Sequence, residues 1–236
     1  MLRTLARRMA TRGVVFDMDG TLTKAGSLDF KKMYDLAGVE LSKDILAEVA
    51  AMPAAQRKEA MQAIVDVERE GALRMELNPG AVELATWLDV QGLPMAIVTR
   101  NSAATLTYFL EEMWDAPVNP ALSRDGELDL GPTSTPLITK DAPAKPDPAA
   151  MLLIAKRWGV SPEEILMVGD SAANDVAFGN GAGSATALLD EGAAGRSSEE
   201  RAAGKKTHEP TFTVKTLLEL VPIIEAENNI NKEKIK

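Results

Sequence analysis

Four short apolar runs constrain this chain more than any other feature in it. They are Gly13-Val14-Val15-Phe16, Leu93-Pro94-Met95-Ala96-Ile97-Val98, Ile165-Leu166-Met167-Val168 and Ser184-Ala185-Thr186-Ala187-Leu188-Leu189. Each is continuous rather than alternating, the pattern of a strand covered by helices on both faces. Segments of helical periodicity lie between them, at 79–90, 102–113 and 147–158. Ser102 stands where the second of these needs an N-cap. Strand and helix in repetition predict an α/β fold built on a doubly wound parallel sheet. Further short strands are expected at 121–123 and 212–214, with a closing helix over 217–224.

The interval 27–76 breaks this rhythm. It reads as three helices, at 29–36, 42–50 and 54–74, punctuated by Gly38 and Pro53. A helical insert placed after the first strand sits over the carboxyl edge of the sheet, where open α/β folds bind ligands, and is a candidate lid. Two polar, irregular stretches follow, at 116–144 and 190–210. The expected division is a basic N-terminal extension at 1–12, an α/β core at 13–26 and 77–225, a helical cap at 27–76 and a disordered tail at 226–236.

Composition removes several kinds of chemistry. The 236 residues include no cysteine and one histidine, His208, in a polar stretch that reads as a solvated loop. Thiol nucleophiles, disulfides and zinc–thiolate sites are therefore excluded, and catalysis must run on carboxylates, hydroxyls, lysine and backbone. A formal net charge of -9 makes a nucleic-acid partner a poor match, while a small anion can still enter a locally positive pocket. No apolar stretch approaches the roughly 20 residues that span a bilayer, so no membrane partner is expected. Residues 1–12 carry Arg3, Arg7, Arg8 and Arg12 with no acid, and Leu2, Leu5 and Met9 fall at helical spacing. That composition is similar to an organelle transit peptide. A cytoplasmic location is expected, with mitochondrion or plastid as the alternative. Oligomeric state is not legible.

The chemistry-bearing residues sit where the apolar runs stop. The first run ends in Asp17-Met18-Asp19-Gly20-Thr21. In extended chain alternate residues point the same way, so both carboxylates can face one reaction centre. The second run ends in Thr99-Arg100-Asn101, a hydroxyl with backbone N–H groups at a strand-to-helix junction, suited either to a phosphate oxygen or to a turn. Lys145 lies between Ala144 and Pro146, just ahead of a helix, and is either fixed in a site or an ordinary surface lysine. The third run ends in Gly169-Asp170-Ser171, followed by Asn174-Asp175. Asp170 is either a helix N-cap or a metal ligand. An all-oxygen donor cluster without His or Cys suits Mg²⁺.

Taken in chain order, Asp-x-Asp-Gly-Thr, strand-Thr, Lys-Pro and Gly-Asp-Ser-x-x-x-Asp resemble all four sequence motifs of the haloacid dehalogenase superfamily over residues 13–189. The insert at 27–76 is similar to the small helical cap of its phosphoglycolate-phosphatase-like members. The resemblance implies a Mg²⁺-dependent phosphatase acting on a small phosphorylated metabolite. Asp17 then matches the nucleophile and Asp19 the general acid/base, while Thr99 and Lys145 match the residues that hold the phosphoryl group. Arg100 is a candidate for a second anion contact. Asp170 matches the direct metal ligand, joined by Asp17 and the backbone carbonyl of Asp19. Either Asp175 or Asn174 completes the set. A sugar phosphomutase of the β-phosphoglucomutase type and a non-catalytic binding protein are the rival readings. In the cap, Asp29, Phe30, Lys31 and Tyr34 lie nearest the entrance in sequence.

Overall fold

A computed structural model describes residues 10–128, 143–190 and 206–233. Most of the basic extension, much of the two polar stretches and the last residues of the tail lie outside the described residues.

Among the described residues, the apolar runs form the middle of one seven-stranded sheet: β1 Gly13–Phe16, β2 Met95–Val98, β3 Ala121–Ser123, β4 Gly126–Glu127, β5 Ile165–Gly169, β6 Ala185–Leu189 and β7 Phe212–Val214. Their order is β4-β3-β2-β1-β5-β6-β7. All neighbours are parallel except the β3–β4 hairpin. Continuous hydrophobicity is explained by the pleat. Val14, Phe16, Ile97, Leu166 and Val168 pack on one face, and Val15, Ala96, Val98, Ile165 and Met167 on the other.

The helices that cover these faces are amphipathic on matching stripes. On the first face lie α4 (Ala81–Val90), α5 (Ala103–Glu112) and α8 (Leu220–Glu233), through Leu84, Leu88, Leu106, Phe109, Leu220 and Ile224. On the second lie α6 (Ala149–Trp158) and α7 (Ala177–Ala182), through Met151, Ile154 and Phe178. The Ser102 side chain caps α5 by accepting from the Thr105 N–H, as its position predicts.

Three helices occupy the interval after β1: α1 Phe30–Ala37, α2 Ile45–Ala51 and α3 Ala54–Ala72. Asp29 and Asp44 cap α1 and α2 with their carboxylates, and Gly38 ends α1 in the left-handed region at φ 69°. Their apolar faces meet in a separate cluster that includes Met33, Ile45, Val49, Ile64 and Val67. The chain leaves the sheet and returns to it through one narrow neck. Thr23 is bridged to Leu77, the Lys24 N–H donates to the Glu76 carbonyl at 2.9 Å, and the Asn78 amide donates to the Thr21 carbonyl at 3.1 Å.

The end of the chain departs from expectation. Helix α8 continues to Glu233, where a disordered tail from residue 226 was expected. The segment lacks an apolar period, but Glu, Asn, Ile and Lys sustain a helix once it is nucleated on Leu220 and Ile224. Glu227 also accepts from the Thr11 hydroxyl at 2.8 Å, which ties this end to the entry of β1.

Candidate active site

The carboxyl end of β1 sets the position of two acids. Asp17 prolongs the ladder, its N–H donating to the Val168 carbonyl at 2.9 Å. Met18 then turns into the core, fully buried, and its carbonyl accepts from the N–H groups of Thr21, Leu22 and Thr23. Because Met18 faces down, Asp17 and Asp19 both reach the cavity at the sheet edge. Gly20 permits the turn at φ 78°, and a side chain there would bring a Cβ within 2.5 Å of Asp170 Oδ2.

The end of β5 supplies the second pair. After Gly169 and Asp170 the chain enters a wide turn at Ala172–Val176, capped by Ser171 rather than by Asp170. Asp175 folds back to accept from the Ser171 N–H at 3.0 Å. A Cβ on Gly169 would collide with the Asp175 carboxylate, so the strand must end in glycine for that acid to sit where it does. Asp17, Asp170 and Asp175 each offer a carboxylate oxygen within 4.8 Å of the others.

Lys145, far from a surface side chain, is buried between two of these acids. Its ammonium donates to Asp17 Oδ1 and to Asp175 Oδ1, each at 2.6 Å. At the end of β2, Thr99 donates its N–H to the Leu122 carbonyl at 2.9 Å, and its Oγ1 accepts from the Asn101 N–H at 3.2 Å. The Asn101 side-chain amide donates to Asp19 Oδ2. Arg100 also lines the cavity, donating to Asn174 Oδ1 at 2.8 Å and to Asp44 Oδ2 at 2.6 Å. The expected anion contact at Arg100 is thereby engaged by the cap.

Charge is unbalanced here. Among the described residues, Asp17, Asp19, Asp170 and Asp175 share the cavity with a single ammonium, that of Lys145. Burial pushes the Asp19 carboxyl up to about 7, helped by Asp17 and Glu68, while the Asn101 hydrogen bond and Lys145 act in the opposite direction. Burial, then Asp17, also raises the Asp175 carboxyl against Lys145 and the Ser171 N–H. Burial opposes charge on Lys145 too, but two carboxylates outweigh it and hold the ammonium protonated. A site with this surplus of negative charge and only oxygen donors fits a hard divalent cation.

Three polar side chains in this cavity escape sequence reading, Glu68, Asn101 and Arg124, as do the apolar Leu28, Met33, Ile45, Leu46 and Ile64. Arg124 follows β3 and donates from both terminal nitrogens to the two oxygens of Glu68 on α3, and again to the Arg100 carbonyl at 3.2 Å. A signal existed for Glu68 alone. It lies on the buried stripe Ala60, Ile64, Val67, Glu68 and Ala72, where a lone carboxylate needs a partner. Of the entrance residues, Phe30 and Tyr34 line the cavity. Asp29 instead caps α1, and Lys31 pairs with Asp35 outside. His208 lies in a short turn, Lys206–His208, away from this cavity.

The match to known proteins agrees with this arrangement. Residues 11–183 match the family model of haloacid dehalogenase-like hydrolases. A haloacid dehalogenase-like hydrolase domain-containing protein of Arabidopsis thaliana is 31% identical over 93% of this chain and 86% of its own length. Phosphoglycolate phosphatase 1 of Pseudomonas aeruginosa is 30% identical over 89% of this chain and 79% of its own. A hydrolase from Pseudomonas syringae shares the fold with a TM-score of 0.67 at 20% identity, covering 92% of this chain and 99% of that one. The chain belongs to the haloacid dehalogenase-like hydrolase family, on its phosphoglycolate-phosphatase-like branch. It is an enzyme, a hydrolase of the phosphatase type. Among the described residues no helix is long and apolar enough to cross a membrane.

Proposed function

We propose that this enzyme hydrolyses a phosphate monoester of a small metabolite through a covalent intermediate on Asp17. One observation carries the reading. Asp17 is held by Lys145 at 2.6 Å, while Asp19, from the same loop, is poised to carry a proton near neutrality.

An oxygen of Asp17 attacks phosphorus, and the bond from phosphorus to the ester oxygen breaks with its electron pair. Asp19 gives that oxygen its proton, so an alcohol departs. The Asp19 carboxylate then takes a proton from water, whose oxygen attacks the aspartyl-phosphate. The bond from phosphorus to Asp17 breaks, inorganic phosphate leaves and both acids return to their starting state. Lys145 and the Thr99 hydroxyl hold phosphoryl oxygens, and Asn101 keeps Asp19 oriented. Asp17, Asp170 and Asp175, with the backbone carbonyl of Asp19, would hold Mg²⁺, which supplies charge neutralisation for a dianionic ester. Helices α1 to α3 serve as the lid.

The test is phosphate release from p-nitrophenyl phosphate with Mg²⁺, with EDTA, and in Asp17→Asn. Release is expected with Mg²⁺ alone. Near-normal turnover by the folded Asp17→Asn variant overturns the assignment of the nucleophile.

A further inference from the structure

Apart from Glu68, the lining that the cap gives this cavity is apolar. It is built by Phe30, Met33, Tyr34, Ile45, Leu46 and Ile64, all from the helical cap. The ester group that leaves with the alcohol oxygen must lie between Asp19 and this wall. Polar side chains also reach the cavity, and the guanidinium groups among them already hold protein partners, although the buried Nε of Arg124 has none. Arg124 gives both terminal nitrogens to Glu68. Arg100 gives its two to Asn174 and Asp44. Tyr34 donates its hydroxyl to the Lys43 carbonyl at 3.0 Å.

A second anion on the substrate, such as a carboxylate near the ester oxygen, would meet terminal nitrogens already shared with Glu68 and Asp44, with the buried Arg124 Nε left as an unpaired donor. A polyhydroxylated leaving group would press hydroxyls against this hydrocarbon, at a cost for each that finds no partner. An alkyl or aryl group gains from the same surface.

We infer that this site, granted the phosphatase reading above, is specific for phosphate monoesters of apolar alcohols, with Phe30, Tyr34 and Leu46 as the specificity-determining residues. These three are half-buried on α1 and α2 and line the cavity at the edge of the cap cluster, in which Met33, Ile45 and Ile64 are buried members.

The experiment is a series of n-alkyl phosphates from methyl to hexyl, whose leaving oxygens are chemically alike, with 2-phosphoglycolate and glycerol phosphate alongside and Mg²⁺ present. The value of kcat/KM should rise about four-fold per methylene until the wall is covered. It should exceed that of either polar ester by the end of the series. In Leu46→Lys the slope should flatten and 2-phosphoglycolate should gain. A flat or falling series, or 2-phosphoglycolate as the best ester of the wild-type protein, overturns this inference and leaves the phosphatase reading intact. No phosphate release from any ester, p-nitrophenyl phosphate included, overturns both.

Discussion

Arg124 and Glu68 form a two-pronged ion pair that joins the sheet to the helical cap, and both side chains are almost wholly withdrawn from water, at 7% and 3% exposure. The Ser102 N–H, at the start of α5, points to the same carboxylate at 3.4 Å. A pair of this kind contributes little relative to hydrocarbon of equal shape but costs heavily when one partner is removed. Glu68→Ala should therefore lower stability by about 3–5 kcal/mol, read as a shift in the urea midpoint. Glu68→Leu combined with Arg124→Met should recover most of that loss. Equal destabilisation in the single and double variants would show that the ion pair is not what holds the two layers together.

The pH dependence of turnover has a defined sign. As the general acid, Asp19 must be protonated, so turnover of an ester with a poor leaving group should fall as pH rises through about 7. After burial, the charges of Asp17 and Glu68 hold this carboxyl up. Glu68→Gln removes one negative charge, lowers the Asp19 pKa and should move the alkaline limb of kcat/KM to lower pH. A limb that stays in place, or moves upward, contradicts the assignment of Asp19.

Gly169 is the simplest lever on the proposed metal site. A methyl group there meets the Asp175 carboxylate, so Gly169→Ala must displace that acid. Overpacking of this kind costs about 1–3 kcal/mol. The Mg²⁺ concentration for half-maximal activity should rise about 10–100-fold, the range seen when a ligand loses its support. A Mg²⁺ titration of activity, with thermal melts at each concentration, separates loss of metal affinity from loss of fold.

The sheet was legible because strands buried on both faces leave continuous apolar runs, and Phe16, Val98 and Val168 mark where each run stops. The acids beyond those stops could be read because a parallel sheet gathers its carboxyl ends at one edge. Partnerships across the neck were not legible. Arg124 sits in a polar turn, and nothing local distinguishes it from a solvated arginine. Its match to Glu68 depends on how the cap is laid over the sheet. Arg100 shows the same limit, since its neighbour Thr99 suggested a phosphate contact while Asp44 on the cap engages it. The helix beyond Ile224 was missed because its stability comes from an existing helical turn and a bond to Thr11, not from a pattern of its own.

The pairing of Thr23 with Leu77 has one further consequence. The two points where the cap chain is cut into the sheet already touch, so the closure entropy of that insertion barely depends on its length. The neck is a graft point. Helices can be lengthened, shortened or exchanged beyond it while Asp17 and Asp19 keep their places, and selectivity can drift without disturbing the chemistry beneath it.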